Sequence, residues 1–92
     1  MTYDTRNRIL HICDYRKVDL TNLEHKLLIC LSSGNMVTYE EILKYIYGWN
    51  DIYAKRALCV IVSNLTKKTK GLLKILAIRG RGFILKSEVY FE

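Results

Sequence analysis

The 92-residue sequence predicts an α+β domain: short β-segments, then three helices, then a C-terminal β-hairpin. Three observations carry this expectation. Two Thr-x-x-Glu helix starts are each followed by an apolar stripe, a third stripe recurs at helical spacing, and glycines stand where the patterns stop. The length fits one domain over residues 1–92, with strands in 1–20, helices in 21–70 and a hairpin in 71–86.

Residues 8–12 and 16–20 read as β-segments about a polar turn at Asp14 and Tyr15. Thr21-Asn22-Leu23-Glu24 is a capping box, in which the hydroxyl accepts a backbone N–H and Glu24 reaches back to the cap. Leu23, Leu27, Leu28 and Leu31 then share one face, with Glu24 and Lys26 off it, and Gly34 ends the helix. Thr38-Tyr39-Glu40-Glu41 repeats the box, Ile42, Leu43, Ile46 and Tyr47 form the stripe, and Gly48 stops it. A third helix is expected over 52–69, burying Leu58, Ile61, Val62, Leu65 and Thr69. Its opposite face presents Val60, Ser63, Asn64 and Lys67 at i, i+3, i+4 and i+7. The β-branched run Val60-Ile61-Val62 also permits a strand, but that would leave 63–70 without a role. Finally, residues 72–78 and 83–85 flank Arg79-Gly80-Arg81-Gly82, which suits a hairpin with two arginines at its tip.

Half the residues are hydrophobic and 26% are charged, which excludes disorder by composition. No apolar run approaches the roughly 20 residues of a membrane span, and residues 1–8 lack the core of a signal peptide. The net charge of +6 is unevenly placed: residues 1–51 sum to −1, residues 52–87 to +9 without one acid, and residues 88–92 to −2. An acid-free basic block points to a polyanion partner. Cys13, Cys30 and Cys59 are unpaired in spacing, as in a reducing cytoplasm, and Cys30 and Cys59 are expected in the core. No metal-ligand spacing, cofactor motif or catalytic constellation is present. His25 is placed on the exposed side of the first helix, as a solvated residue rather than a catalyst.

Helix, turn and helix followed by a basic hairpin is a layout for reading nucleic acid, because a major groove admits one helix. The residues also resemble a family. Leu20-Thr21-Asn22-Leu23-Glu24 with Leu27-Leu28, Val37-Thr38 through Ile46-Tyr47-Gly48, Leu58, Val62 and Leu65-Thr66-Lys67-Lys68, and Arg79-Gly80-Arg81-Gly82-Phe83 follow one pattern in order. It is similar to the winged-helix DNA-binding domain of OmpR/PhoB-type bacterial response regulators, also found in ToxR/CadC-like regulators.

The resemblance implies a winged helix-turn-helix with an N-terminal antiparallel sheet and a hairpin wing. It implies a sequence-specific regulator of transcription on double-stranded DNA, not an enzyme. Val60, Ser63 and Asn64 would contact bases. Tyr47, Arg56, Thr66, Lys67, Arg79 and Arg81 would meet phosphates or a groove. Trp49, Asp51 and Tyr53, in a loop over residues 49–55, would face RNA polymerase. A head-to-tail pair on direct repeats, a cytoplasmic nucleoid location and no membrane contact from this segment follow. In a ToxR-like parent the segment would be the cytoplasmic part of a membrane protein. No receiver domain is expected within these residues.

Departures qualify the match. Ser63, Asn64 and Thr66 stand where the family carries arginines, Ala77 where the wing has Thr, Phe83 for Tyr, and Tyr47 for Trp. An alternative is therefore a protein-interaction module that binds polymerase or another regulator with little base readout.

Overall fold

The computed structural model describes residues 1–48 and 52–92, with residues 52 and 53 described for their backbone only. The element order is β1 (Thr2–Asp4), β2 (Ile9–Cys13), β3 (Arg16–Asp19), α1 (Asn22–Cys30), β4 (Val37–Thr38), α2 (Tyr39–Tyr47), α3 (Ile52–Lys68), β5 (Ile75–Ile78), β6 (Gly82–Leu85) and β7 (Tyr90–Phe91).

Both capping boxes form. The Glu24 N–H donates to Thr21 Oγ1 at 3.3 Å while the Thr21 N–H donates to Glu24 Oε1 at 2.8 Å. At α2 the matching distances are 3.2 Å to Thr38 Oγ1 and 3.3 Å to Glu41 Oε2. Each box satisfies donors that a helix start leaves orphaned. Gly48 ends α2 at φ +82°, a left-handed conformation that costs glycine little.

The strands β1, β2 and β3 form an antiparallel sheet, and β7 adds to β1 in parallel, giving the order β3-β2-β1-β7. The sequence does not announce β1 or β7, because each is two or three residues long and their pairing joins opposite chain ends. A second sheet, β4-β6-β5, carries the hairpin. Here β4 approaches β6 so closely that a Cβ on Gly82 would lie 1.9 Å from the Val37 carbonyl oxygen. Only a residue without a side chain fits there.

The three helices bury Leu27, Leu28, Leu31, Ile42, Leu43, Leu58 and Leu65 against Tyr3 and Leu10 of the first sheet and Phe83 and Leu85 of the second. Of the expected α3 stripe Leu58, Ile61 and Leu65 are buried and Val62 is half-buried against the core, with Thr69 also buried and its hydroxyl donating to the Leu65 carbonyl at 2.9 Å.

Four expectations are corrected. In α1 the inward face starts at Glu24, which is 2% exposed, whereas Leu23 is surface-exposed. The reason is an ion pair: Lys68 Nζ lies 2.6 Å from Glu24 Oε1 and also donates to the Asp19 carbonyl at 3.2 Å. His25 is half-buried rather than solvated, with the Tyr3 hydroxyl 2.6 Å from its Nδ1. Cys59 is exposed on α3 and Cys30 half-buried, so Cys59 is not a core residue. The loop expected over residues 49–55 also ends earlier, since α3 already runs from Ile52.

Candidate nucleic-acid interface

The exposed side of α3 follows from its register. Leu58, Ile61 and Leu65 point into the core, so Arg56, Cys59, Val60, Ser63, Asn64 and Lys67 project to solvent. Val60, the most exposed large aliphatic side chain among the described residues, is 57% exposed. Arg56 and Lys67 put a positive charge toward each end of a row whose middle is neutral. The geometry suits phosphates at the ends and base edges between them.

An apolar groove of about 600 Å³ joins several of the expected residues. Tyr47 from the end of α2 and Val60, Asn64 and Lys67 from α3 line it together with Thr21 and Leu23 from the start of α1. The first turn of α1 is therefore part of this face, which spacing in α3 alone does not reveal. Thr66 is exposed, but its hydroxyl donates to the Val62 carbonyl at 3.0 Å. It must rotate away before it can donate to a phosphate.

The hairpin tip is built by a turn in which the Arg81 N–H donates to the Ile78 carbonyl at 2.9 Å. Gly80, at φ +75°, fills the turn position that requires a left-handed backbone. Arg79 and Arg81 are both exposed there. The Arg81 carbonyl accepts the Tyr39 N–H at 3.0 Å, which ties the tip to the first residue of α2. The Tyr39 ring packs edge-on against Phe83 at 5.4 Å, and Lys55 Nζ stands 5.6 Å from the centroid of the same ring. Tyr39 thus joins the start of α3 to the hairpin, a role its sequence position does not signal. The same holds for Lys68, whose charge is spent on Glu24 rather than offered to a ligand.

Trp49 and Asp51 lie outside the described residues, as does the side chain of Tyr53. Of the expected residues, Tyr47, Val60, Asn64 and Lys67 share one groove. Arg81 sits at a second groove with Lys55, Tyr39 and Gly80. Arg56, Ser63 and Thr66 lie along α3 outside both.

The profile of the family described as transcriptional regulatory protein, C terminal, matches residues 15–85. The chain belongs to this family. It is thereby a DNA-binding domain of transcription regulators, of the OmpR/PhoB winged-helix type, and the family is not one of enzymes. A comparison with curated proteins returns no match. In the family's winged-helix fold α2 and α3 form the helix-turn-helix and β5–β6 the wing. The matched stretch begins in the turn before β3 and ends with β6, leaving β1, β2 and β7 outside it. Among the described residues no helix is long and apolar enough to cross a membrane.

Proposed function

We propose that this chain is a sequence-specific regulator that lays α3 in the major groove of double-stranded DNA and the wing in the adjacent minor groove. The observation that carries this is the solvent-facing row on α3, with cations at its ends and Val60, Ser63 and Asn64 between them. In such a docking Val60 covers a thymine methyl and Asn64 pairs with an adenine edge. Tyr47, Arg56, Thr66 and Lys67 hold phosphates, and Arg79 and Arg81 enter the minor groove. The lack of arginine on the central face favours A·T-rich targets, since the Arg–guanine fork is the commonest specific contact.

Two copies bind direct repeats head to tail, and the segment around Trp49, Asp51 and Tyr53 meets RNA polymerase. The site of action is the cytoplasmic nucleoid. Selection from random duplex DNA tests the proposal. An enriched motif rich in A·T is the expected result. Retention of duplex without enrichment of any motif, combined with capture of polymerase subunits that Trp49→Ala abolishes, would instead favour the protein-interaction module.

A further inference from the structure

The groove of about 600 Å³ beside α3 has more apolar wall than docking on DNA uses. Ala57, Val60, Ile61, Asn64, Lys67 and Lys68 line it at i, i+3, i+4, i+7, i+10 and i+11, one stripe along the helix. Leu23 and Glu24 of α1 and Tyr47 of α2 complete the lining on the other sides. Leu23 and Val60 are both exposed, and Ala57 adds only a methyl group to the wall. In the docking set out above a thymine methyl meets Val60. The apolar wall of Leu23, Ala57 and Ile61 is left without a partner there.

The charge of the groove is as uneven as its polarity. Lys68 is neutralised by Glu24, whose Oε1 lies 2.6 Å from its Nζ. The Thr21 hydroxyl is occupied by the Glu24 N–H of the cap. Lys67, in contrast, has no carboxylate within ion-pair distance among the described residues. It lies one turn beyond Asn64, whose amide can donate and accept. One uncompensated positive charge therefore stands at the Lys67 end of a largely aliphatic hollow. A volume of about 300–1,000 Å³, apolar walls and a few placed polar groups are the marks of a small-molecule site.

We infer that this groove binds a small alkyl carboxylate, and that the bound acid and DNA exclude each other. The alkyl chain lies along Leu23, Ala57, Val60 and Ile61, and the carboxylate accepts from Lys67 Nζ and the Asn64 amide. The exclusion, though not the acid site itself, rests on the DNA reading set out above. The acid covers Val60 and Asn64, two of the residues assigned there to bases, so both ligands compete for the same atoms. Each then weakens the other by the same factor. A neutral alcohol of equal chain length lacks the ion pair, and an alkylammonium meets Lys67 with like charge. The ligand is the free acid, because the chain of an esterified lipid ends in no free carboxylate. The domain that reads DNA would thus itself sense the acid.

The test titrates the chain with decanoate, kept below micelle formation, and follows amide and methyl NMR shifts without DNA. Saturating shifts are expected at Leu23, Ala57, Val60, Asn64 and Lys67, with Gly80 and Arg81 at the second groove unmoved. Decanol and decyltrimethylammonium should bind more weakly. Lys67→Gln should weaken decanoate about fivefold, the upper end for an exposed ion pair, and leave decanol unchanged. Ala57→Leu fills the groove without touching a residue assigned to DNA, so it should abolish decanoate binding and keep duplex binding. In fluorescence anisotropy, decanoate should displace a bound duplex from the wild-type chain and not from the Ala57→Leu chain. Uniform shifts, shifts centred on Gly80 and Arg81, or decanol binding as tightly as decanoate would overturn the proposal. So would duplex and decanoate bound together. Absence of saturable shifts in a chain that binds duplex would overturn the acid site and leave the DNA reading standing. Saturable binding in the groove of a chain that binds no duplex would overturn the DNA reading and leave the acid site standing.

Discussion

Glu24 and Lys68 show how one residue's environment reverses its apparent role. A carboxylate 2% exposed is costly unless paired and hydrogen-bonded. Here it accepts the Thr21 N–H and meets the Lys68 ammonium. Lys68→Ala strands that carboxylate and is expected to cost about 2 kcal/mol in urea unfolding, below the full value for buried pairs because Lys68 is itself partly exposed. Tyr3 and His25 form a second coupled pair. Burial is the main cause that pushes the Tyr3 hydroxyl up to about 12, so it remains a donor to His25 Nδ1. Burial first, then the charges of Arg8 and Lys26, lower the His25 pKa below 6.5. The unfolded chain therefore binds more protons than the folded one below that value. Stability should be full above it and fall as pH drops from about 7.5 toward 5, and His25→Gln should flatten the fall over that window. A urea midpoint that does not move with pH in the wild-type chain would contradict this.

At the scale of elements, what was legible in the sequence was what is local. The two capping boxes and the Gly48 stop operate within four or five residues, and all form where their spacing places them. The α3 stripe is likewise read from neighbours one turn apart. The burial of Glu24 was not legible, because its partner is 44 residues away. Strands β1 and β7 were not, because pairs this short are held by the packing of Tyr3 on Phe91 and not by their own pattern. The groove that adds Thr21 and Leu23 to the candidate DNA face also needs three helices in place. Two changes probe element junctions. Thr38→Ala removes the cap of α2 and is expected to cost about 1 kcal/mol. Gly82→Ala forces β4 and β6 apart and should cost more than that, with loss of amide protection in the wing measured by hydrogen exchange.

For the whole molecule, the net charge of +6 resolves into a scaffold near neutrality and a basic block that coincides with α3 and the wing. One cation of that block is engaged within the molecule, since Lys68 pairs with Glu24, and Lys55 is drawn to Tyr39. The central face of α3 carries none. Affinity and sequence choice should therefore answer to different residues. The measurement that tests this most directly is the affinity of the wild-type, Asn64→Ala and Arg79→Ala chains for a selected duplex and a scrambled one across a salt series. Asn64→Ala is expected to lose about 1–3 kcal/mol on the selected duplex alone, with the salt slope unchanged, while Arg79→Ala weakens both duplexes alike and lowers the slope by about 1. Equal loss on both duplexes for Asn64→Ala, or no binding by the wild-type chain at any salt, would contradict the account.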